Sequence, residues 1–336
     1  MKEDREDRAV CSAIKKAIDS SSRILISGHI SPDGDSLGSM IALSRLLSAA
    51  GHPAFAAADV NALGKLKILD GVEDVIPLRK LKRQKFDLFI AVDCGDISRL
   101  PPEVRPFAEK LPRICIDHHV TTDGSFGDAC LLDSTASSAA ELILRLAKWM
   151  GWKLDKVAAE ALWVAMVTDT GRFAYAMTSR ETMRAAGDLL EHGVRTAFFN
   201  DVIYGSFPLK AIELKRIAWR SLHVWKNRRV AEVTLTRDDF RSVRGTKADA
   251  EDIIEIPRSV GRNEVALFFY QIPDRTKEVR CSIRTRGDYD ATELAKKFGG
   301  GGHRQAAGCT IAATMNVAKR KVRAAVREML KESSRR

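Results

Sequence analysis

Long apolar runs, paired cysteines and a secretion signal are all missing from this sequence of 336 residues. No stretch reaches the roughly 18–20 apolar residues that a bilayer-spanning helix needs. The six cysteines are scattered and form no C-x-x-C pair, which argues against a disulfide framework or a structural zinc site and fits a reducing cytoplasm. The first ten residues, MKEDREDRAV, carry charges of both signs, unlike a signal or transit peptide. We therefore expect a cytoplasmic protein with no membrane segment.

Positive charge is in excess, and it is unevenly distributed along the chain. The formal net charge is +11. Residues 1–194 hold 25 basic against 27 acidic side chains, whereas residues 195–336 hold 30 against 17, of which the tail 319–336 has eight against two. This asymmetry indicates either a second half that binds an anionic partner or only a soluble basic surface.

The first half of the chain alternates short apolar runs with helical patterns, which predicts an α/β domain with a parallel sheet. The runs at 23–29, 87–93 and 113–119 are continuous and β-rich, as buried parallel strands are. An amphipathic helix is expected at 40–50, and two helices within 137–170 should meet at Gly151. Residues 179–221 also have a helical pattern, broken near Gly193 and at 205–208.

The second half changes to strands at 228–236, 264–272 and 278–286, the last two forming an antiparallel pair around Pro273 and Asp274. A helix at 290–298, a glycine loop at 299–303, a short strand at 308–312 and a terminal helix follow. The length suits two domains. We predict a parallel-sheet domain with flanking helices over 1–192, a helical linker over 193–222 and a smaller α/β domain over 223–336.

Acidic and histidine side chains follow each of the three predicted parallel strands, where an open α/β sheet binds its ligands. The first cluster is His29, Asp33 and Asp35 in HISPDGDS, a tight turn followed by a helix that Asp35 or Ser36 could cap. Two carboxylates two residues apart on such a turn could face one ion or two adjacent ions. A role limited to turn and cap is an equally good interpretation of the two aspartates alone.

Asp93 ends the second strand, and we prefer it to Asp96 because the strand holds its direction fixed. Asp117, His118 and His119 end the third strand, and consecutive residues of an extended chain point to opposite sides. One histidine would therefore enter a site while the other contacts substrate or supports the residues around the site. Asp169 ends an apolar helix, where a carboxylate opposes the helix dipole and favours a bound cation.

These residues make a ligand set of four carboxylates and two imidazoles with no thiolate: His29, Asp33, Asp35, Asp93, His118 and Asp169. Such donors suit Mn²⁺ or Mg²⁺, with Fe²⁺ or Zn²⁺ as alternatives, at two adjacent positions. Two ions about 3.5–4 Å apart are the arrangement of phosphoryl-transfer enzymes.

A second anion-binding pattern lies in GGGGHRQAAG, residues 299–308. Consecutive glycines let backbone N–H groups approach an anion, and His303 and Arg304 add donors. Upstream, SIRTR places Arg284 and Arg286 on one face of a strand, where guanidinium groups suit terminal phosphates. A solvated charged face is an equally good interpretation of Arg286.

These motifs carry a resemblance to a known family. HISPDGDSLGS, AVDCGD, IDHH and VTDTGRF resemble the four motifs of the DHH phosphoesterase superfamily, and SIRTR with GGGGHRQAAG resembles the signature of its associated C-terminal substrate-binding domain. The motifs stand in the family's order from about residue 23 to residue 311. The compact layout, with no RecJ-type extra domain, resembles the nanoRNase branch of oligoribonucleases and 3′-phosphoadenosine-5′-phosphate phosphatases.

The resemblance implies two Mn²⁺ ions, with Mg²⁺ or another divalent cation as the alternative. His29 and Asp33 would bind one ion and Asp35, His118 and Asp169 the other, with Asp93 bridging them. His119 would face the scissile phosphate, so that His119 and Asp93 are the expected catalytic residues. The second domain would hold the substrate through Arg284, Thr285, Gly300, Gly301, Gly302 and His303. Two positions depart from the family's pattern: Thr285 replaces the more usual Ser, and Ala174 replaces a commoner Arg.

The expected function is Mn²⁺-dependent hydrolysis of short oligonucleotides to mononucleotides, and of 3′-phosphoadenosine-5′-phosphate, by water activated between two ions. Short oligonucleotides or nucleotides are thus the expected partners, and a homodimer is expected only by analogy with the family. A cyclic dinucleotide phosphodiesterase acting on c-di-AMP or its linear product, or a pyrophosphatase of the same superfamily, are alternatives. A non-catalytic nucleic-acid-binding protein is a further alternative, against which the six convergent ligands argue.

Overall fold

The protein divides into two units, Met1–Gly205 and Ser206–Arg336. The computed structural model describes residues 3–271 and 278–333, without the side chains of residues 3–7, 251, 303, 332 and 333. The division falls inside the stretch 193–222 that the sequence pattern assigns to a helical linker. None of the helices in this part of the chain is both long enough and apolar enough to cross a bilayer.

Unit 1 is built on a six-stranded sheet in which every pair of neighbouring strands is parallel. The strands are β1 (Ile24–Ser27), β2 (Ala54–Ala58), β3 (Ile76–Pro77), β4 (Leu88–Val92), β5 (Arg113–Asp117) and β6 (Ala129–Leu132), in the order β3-β2-β1-β4-β5-β6. The chain builds outward in one direction from β1 and in the other from β4. The carboxyl ends of these two strands therefore flank a switch point, where ligand sites of open α/β sheets lie.

The helices of unit 1 are α1 (Glu3–Asp19), α2 (Gly34–Ala49), α3 (Arg105–Lys110), α4 (Ala139–Met150), α5 (Lys156–Asp169), α6 (Arg180–Leu190) and α7 (Thr196–Asn200). Short 3₁₀ helices lie at Gly64–Ile68, Val72–Asp74, Leu78–Arg83 and Ile97–Arg99, and a π-helical turn at Asp201–Gly205. The larger core packs α1, α2, α4 and α5 on one face of the sheet, and a smaller core around Phe89 and Cys115 covers the other.

The predicted strands and helices of unit 1 are confirmed, with one error. Gly151 has φ 68° and ends α4, as the sequence indicates. The helix predicted over 40–50 begins earlier, at Gly34; residues 34–39 are all buried, whereas the predicted stretch has both buried residues and the exposed Ser48 and Ala49. Gly38 lies in the buried part, because a Cβ there would lie 2.3 Å from the carbonyl oxygen of Ala161 on α5. These first turns have no polar face for a periodicity to reveal.

Unit 2 contains a second six-stranded sheet. Its strands are β7 (His223–Trp225), β8 (Val230–Leu235), β9 (Val265–Gln271), β10 (Glu278–Thr285), β11 (Gly301–His303) and β12 (Ala306–Ala312), in the order β11-β12-β10-β9-β8-β7. Within the described part of this second sheet, β8 and β9 pair in parallel and all other neighbouring strands pair antiparallel. The helices are α8 (Leu209–Arg220), α9 (Arg237–Ser242), α10 (Glu255–Arg258), α11 (Ala291–Lys296) and α12 (Met315–Ser333), with a 3₁₀ helix at Ala248–Ile254.

Of the sequence predictions for unit 2, a strand pairing is confirmed and a loop is wrong in part. The antiparallel pairing of β9 with β10 is confirmed, with Cys281 opposite Phe269, while the turn proposed at Pro273 and Asp274 lies outside the described residues. The loop predicted over 299–303 is wrong in part, because Gly301–His303 pairs with β12 as an edge strand. Both units are mixed α/β structures, which confirms the expected fold class.

Candidate metal centre and active site

Six acidic and histidine side chains converge at the carboxyl edge of the unit 1 sheet. They come from the loops after β1, β4 and β5, from the first turn of α2 and from the last residue of α5. Within each of two triads the ligand atoms lie within 4.8 Å of one another: one triad is His29, Asp33 and Asp93, and the other is Asp35, His118 and Asp169. The structure thus brings together all six residues that the sequence pattern singles out.

The first triad is centred on His29, whose side chain is largely buried. Its Nε2 lies 3.4 Å from Oδ2 of Asp93 and 3.7 Å from Oδ2 of Asp33. Burial alone would lower the pKa of His29, but the two carboxylates outweigh it and raise the pKa to about 10. Without a metal ion this group therefore holds a proton in the place where a cation would bind.

Asp33 has two roles at once. Its Oδ1 accepts a hydrogen bond from the backbone N–H of Ser36 at 3.0 Å, so Asp33 is the N-cap of α2, and neither Asp35 nor Ser36 takes the capping role considered for them. Its Oδ2 faces His29. Cap and ligand are therefore not alternatives at this position, since the cap fixes the orientation of the carboxylate that faces the triad.

The second triad is centred on Nε2 of His118, which lies 3.4 Å from Oδ2 of Asp169 and 3.8 Å from Oδ2 of Asp35. The other ring nitrogen, Nδ1, lies 3.3 Å from the carbonyl oxygen of Ala136. A proton on Nδ1 would leave Nε2 as the ligand atom, the usual arrangement of metal-binding histidines. Burial works against a charged His118, yet the surrounding carboxylates raise its pKa to about 10.

Asp93 joins the two triads. Its Oδ2 faces His29, and its Oδ1 lies 3.6 Å from Nε2 of His118. The residue is buried and has φ 55°, a left-handed conformation uncommon outside glycine and tolerated best by Asn and Asp. Burial would raise the pKa of the Asp93 carboxyl, but the hydrogen bonds and charges of the histidines hold it well below its usual range. An ionised carboxylate with one oxygen towards each triad has the geometry of a bridging ligand.

Asp35 is held by the first turn of α4. Its Oδ2 accepts from the backbone N–H of Ala139 at 2.7 Å and its Oδ1 from that of Ala140 at 3.1 Å. Burial and the charge of Asp93 raise the pKa of Asp35 to about 7. The sequence pattern gave no sign of this contact with α4, because the two segments are far apart in the chain.

Asp169 provides the test of whether a metal ion fits. Its Oδ2 is buried and accepts no hydrogen bond from any residue that the structure describes. Burial and the charge of Asp35 raise its pKa to about 8. A buried carboxylate oxygen without a hydrogen-bond partner is costly unless a cation binds it. The donor set of carboxylates and imidazoles also fits Mn²⁺ or Mg²⁺.

His119 is directed into the same site, contrary to the expectation that the two histidines point to opposite sides. Its Nδ1 lies 3.4 Å from Oδ1 of Asp93, and the rings of His118 and His119 have centroids 4.9 Å apart. The expectation was wrong because β5 ends at Asp117, so the strand alternation does not extend to the histidines.

Asp117 orients His119 and was not among the predicted site residues. Its Oδ1 lies 2.7 Å from Nδ1 of His119, and its Oδ2 accepts from Oγ1 of Thr122 at 2.5 Å. Burial would raise the pKa of Asp117, but the hydrogen bonds from His119 and Thr122 keep it below its usual value. The contact with Asp117 therefore fixes the orientation of the His119 ring. Its position directly before two histidines was the available signal.

In unit 2, Arg284 and Arg286 have different surroundings. Arg284 is half-buried near the end of β10, where its Nη1 donates to the carbonyl oxygen of Ile283 at 3.1 Å. Arg286 lies beyond the strand and donates to the carbonyl oxygens of Gly261 and Arg258 at 3.0 and 2.8 Å. The common strand face expected for the two arginines is therefore wrong, because β10 ends at Thr285.

Thr285 and the glycine segment form the end of the same sheet. The buried Thr285 hydroxyl lies 2.8 Å from the carbonyl oxygen of Tyr289 and 3.1 Å from that of Arg304. Gly300 and Gly302 pack directly on β12, since a Cβ would lie 2.2 Å from the carbonyl oxygen of Gly308 and 2.4 Å from that of Ala306, respectively. A Cβ on Gly301 would meet no described atom within 4 Å. The structure describes the backbone of His303 but not its side chain.

Two family models match this chain, one in each of the two units. Residues 23–166 match the model of the DHH family, N-terminal domain, and residues 244–332 match the DHHA1 domain. The bifunctional oligoribonuclease and PAP phosphatase NrnA of Thermus thermophilus is 31% identical over 314 residues, which cover 91% of this chain and 90% of the relative. The protein of the same name from Bacillus subtilis is 26% identical over 86% of this chain and 89% of the relative.

Solved structures with the same fold include an exopolyphosphatase-related protein from Bacteroides fragilis. It is 24% identical, with a TM-score of 0.86 over 97% of this chain and 96% of that chain. RecJ from Thermus thermophilus in complex with Mn²⁺ has a TM-score of 0.52 at 17% identity, over 95% of this chain and 54% of that chain.

Proposed function

Because the chain belongs to the DHH family and is a phosphoric ester hydrolase, we propose that it hydrolyses short oligonucleotides to mononucleotides and removes a phosphate from 3′-phosphoadenosine-5′-phosphate. Relatives named for these two activities align with about nine-tenths of the chain at 26–31% identity. The observation that carries the proposal is the position of Asp93, whose two carboxylate oxygens each face one triad.

The residues proposed to hold two divalent ions are those of the two triads. His29, Asp33 and Asp93 would hold one, and Asp35, His118 and Asp169 the other, with Asp93 shared. When bound, two such ions lower the pKa of a water molecule and offset negative charge on the phosphate. Mn²⁺ is the proposed ion, and other divalent cations with the same preference for oxygen and nitrogen fit the same donors.

The chain's own contribution to the reaction is to position groups and to support charge. The oxygen of a water molecule bonds to phosphorus, the ester P–O bond breaks, and one proton of the water ends on the leaving oxygen. His119 is proposed to contact the phosphoryl group, with Asp117 fixing the orientation of its ring. Because Asp93 is buried, the electrostatic interactions of its carboxylate are stronger than they would be in water.

Unit 2 is proposed to bind the rest of the substrate. Arg284 provides a guanidinium group at the end of β10, and Gly301 provides a backbone that a ligand could approach closely. Roles for Gly300, Gly302, Thr285 and His303 stay predictions. For Thr285, Gly300 and Gly302 the described contacts connect backbone segments of unit 2, which would preserve the shape of the binding surface. A homodimer also stays a prediction.

A substrate panel tests the proposal. The metal-free protein is supplied with Mn²⁺ and incubated with dinucleotides, longer oligonucleotides, 3′-phosphoadenosine-5′-phosphate, c-di-AMP and pyrophosphate. We expect rapid release of mononucleotides from the dinucleotides and of phosphate from 3′-phosphoadenosine-5′-phosphate, and no activity for Asp93→Asn. A preference for c-di-AMP or pyrophosphate over the dinucleotides would contradict the proposed substrates but not the phosphoesterase chemistry.

A further inference from the structure

Exposed apolar side chains occur on the loops that follow the proposed metal ligands. Among the residues that the structure describes in unit 1, eight large hydrophobic side chains are exposed, and four of them lie on the loops that directly follow the proposed ligands. Ile30 follows His29 and is 51% exposed, and Val120 follows His119 and is 85% exposed. Tyr175 and Met177 lie on the loop that follows Asp169. Polar residues are the usual occupants of such turns.

Backbone hydrogen bonds hold these loops in place. The N–H of Ile30 donates to the carbonyl oxygen of Arg99 at 2.8 Å. The N–H of Thr122 closes the turn around Val120 by donating to His119 at 3.1 Å. The carbonyl oxygen of Thr170 accepts from both Ala174 and Tyr175. Exposed apolar groups grouped on rigid loops are typical of a binding surface.

The Tyr175 ring packs against Gly171. A Cβ on Gly171 would lie 2.4 Å from Cζ of the Tyr175 ring, so the ring packs against the bare backbone of that residue. Gly171 has φ 57°, and Arg172 and Phe173 continue in the same left-handed region. This conformation is unfavourable for Arg172 and Phe173, and the three residues bring the chain back so that the tyrosine lies against its own loop. Tyr175 is 36% exposed.

The chemistry of the surroundings defines what could bind there. The cluster would accept an anion once cations are bound. Ile30 and Val120 directly follow His29 and His119 in sequence, and the N–H of Tyr175 donates at 3.0 Å to the carbonyl oxygen of Thr170, the residue after Asp169, so aliphatic and aromatic side chains lie on the loops next to the cluster. A ligand that matches both has a phosphate joined to a flat, weakly polar group, which describes a nucleotide. Inorganic phosphates have no surface for Ile30, Val120 or Tyr175 to contact. Base–aromatic stacking is sequence-tolerant, since every base has a π-face.

We propose that Ile30, Val120 and Tyr175 form a nucleobase-binding rim around the catalytic cluster, with Tyr175 as the stacking platform. The inference rests on the proposed function, because it assigns the base of the same nucleotide substrate to these side chains. The rim gives the enzyme its preference for nucleotides over inorganic phosphates, and it binds any of the nucleobases.

Binding of a fluorescent nucleotide tests the rim without depending on hydrolysis. The probe is 2-aminopurine riboside 5′-monophosphate, whose fluorescence is quenched by stacking, added to protein loaded with Mg²⁺. We expect Tyr175→Ala to bind it about tenfold more weakly than wild type, and Tyr175→Phe to bind it like wild type. Val120→Thr keeps the shape of a largely exposed side chain and should weaken binding several-fold. Leu190→Ser, an exposed apolar residue on α6 outside these loops, should change nothing.

Hydrolysis provides the second readout. Replacing the bases of a dinucleotide by hydrogen should raise the KM of wild type about tenfold and leave that of Tyr175→Ala nearly unchanged. Equal affinity of wild type and Tyr175→Ala for the probe would overturn the rim. So would a rim substitution that alters the sedimenting mass while leaving nucleotide affinity intact, since the surface would then bind a protein. If wild type binds the probe through Tyr175 but hydrolyses no dinucleotide, the proposed function fails and the rim stands.

Discussion

Oδ2 of Asp169 lies 3.4 Å from Nε2 of His118 and accepts no hydrogen bond within the described chain. The two atoms come from the end of a helix and from the loop after a strand, and their approach leaves a buried oxygen facing a buried imidazole. Such a pair is stable either with a shared proton or with a cation between the two groups. The predictions below follow from this competition between protons and metal ions and from the contacts that orient the cluster.

Metal binding should stabilise the protein more as pH rises. In the metal-free protein burial and like charge raise the pKa of Asp35 to about 7 and that of Asp169 to about 8, and carboxylates raise those of His29 and His118 to about 10. Each folded-state pKa lies above its unfolded value, so the stability from these protons is present at low pH and lost as pH rises through the folded pKa. Metal ions must displace the same protons, which becomes easier over that range.

The measurement is the shift in unfolding temperature on adding Mg²⁺, at pH 6 and at pH 8.5. We expect the larger shift at pH 8.5, together with a lower unfolding temperature of the metal-free protein at that pH. The carboxyl of Asp93 has a lowered pKa and titrates below this window, so it does not change the sign. A shift that is equal at the two pH values, or larger at pH 6, would contradict the proton–metal competition.

Asp117→Asn should slow catalysis without loss of metal ions. The amide keeps the size of the side chain but replaces the carboxylate whose hydrogen bond orients the His119 ring. We expect kcat to fall about 10- to 100-fold, the usual effect of changing a residue that orients a metal-site histidine. In a His119→Ala background the same change should have little further effect, because the two residues act as one unit. Additive losses in the double variant would show that Asp117 acts by another route.

The two arginines near the end of β10 should separate into a binding and a structural residue. Arg284→Ala is expected to raise KM for a dinucleotide about tenfold and to leave the unfolding temperature close to that of wild type. Arg286→Ala removes two hydrogen bonds to backbone carbonyls and should reduce stability by about 1 kcal/mol, with KM unchanged. Steady-state kinetics and denaturant unfolding of both variants check this, and a KM effect from Arg286→Ala alone would reverse the assignment.

Glu232 should be the strongest single polar contributor to the stability of unit 2. Its fully buried carboxylate lies 2.5 Å from Nη2 of Arg323 and 2.9 Å from Nζ of Lys319, both on α12, and accepts from Nε1 of Trp225. Removing it leaves two cations without their carboxylate, so Glu232→Ala should cost about 3 kcal/mol.

A matched control for that variant is Glu264→Ala. Glu264 and Arg229 directly precede β9 and β8 of the same sheet and pair at 2.6 Å, but both side chains are partly exposed, so loss of Glu264 should cost less than about 1 kcal/mol. Denaturant unfolding monitored by tryptophan fluorescence compares the two. Equal losses would mean that burial of Glu232 does not determine its contribution.

Most of the metal centre could be predicted because its residues follow strands of a parallel sheet. Apolar runs locate β1, β4 and β5, and the parallel arrangement then brings His29, Asp93 and His118 to one edge. The contact of Asp35 with the first turn of α4 could not be predicted, because it joins segments with no common pattern. The role of Asp117 could not be predicted either, because it depends on where β5 ends.

Two of the errors have their physical origin in tertiary packing. Gly38 shows why the first turns of α2 lack an amphipathic pattern, since the helix lies against α5 where a side chain would clash. Gly301 and Gly302 form an edge strand although glycine is a poor strand former, because β12 supplies the pairing partner. In both places a neighbouring element overrides local preference, and a single sequence does not reveal that neighbour.

The number of divalent ions bound per chain tests the central claim most directly. Metal-free protein is dialysed to equilibrium against Mn²⁺, and bound manganese is counted for wild type, Asp93→Asn and His119→Ala. We predict two ions for wild type, two for His119→Ala, which keeps every proposed ligand, and none or one weakly held ion for Asp93→Asn. A single ion in wild type, or two tightly bound ions in Asp93→Asn, would contradict a two-ion centre bridged by Asp93.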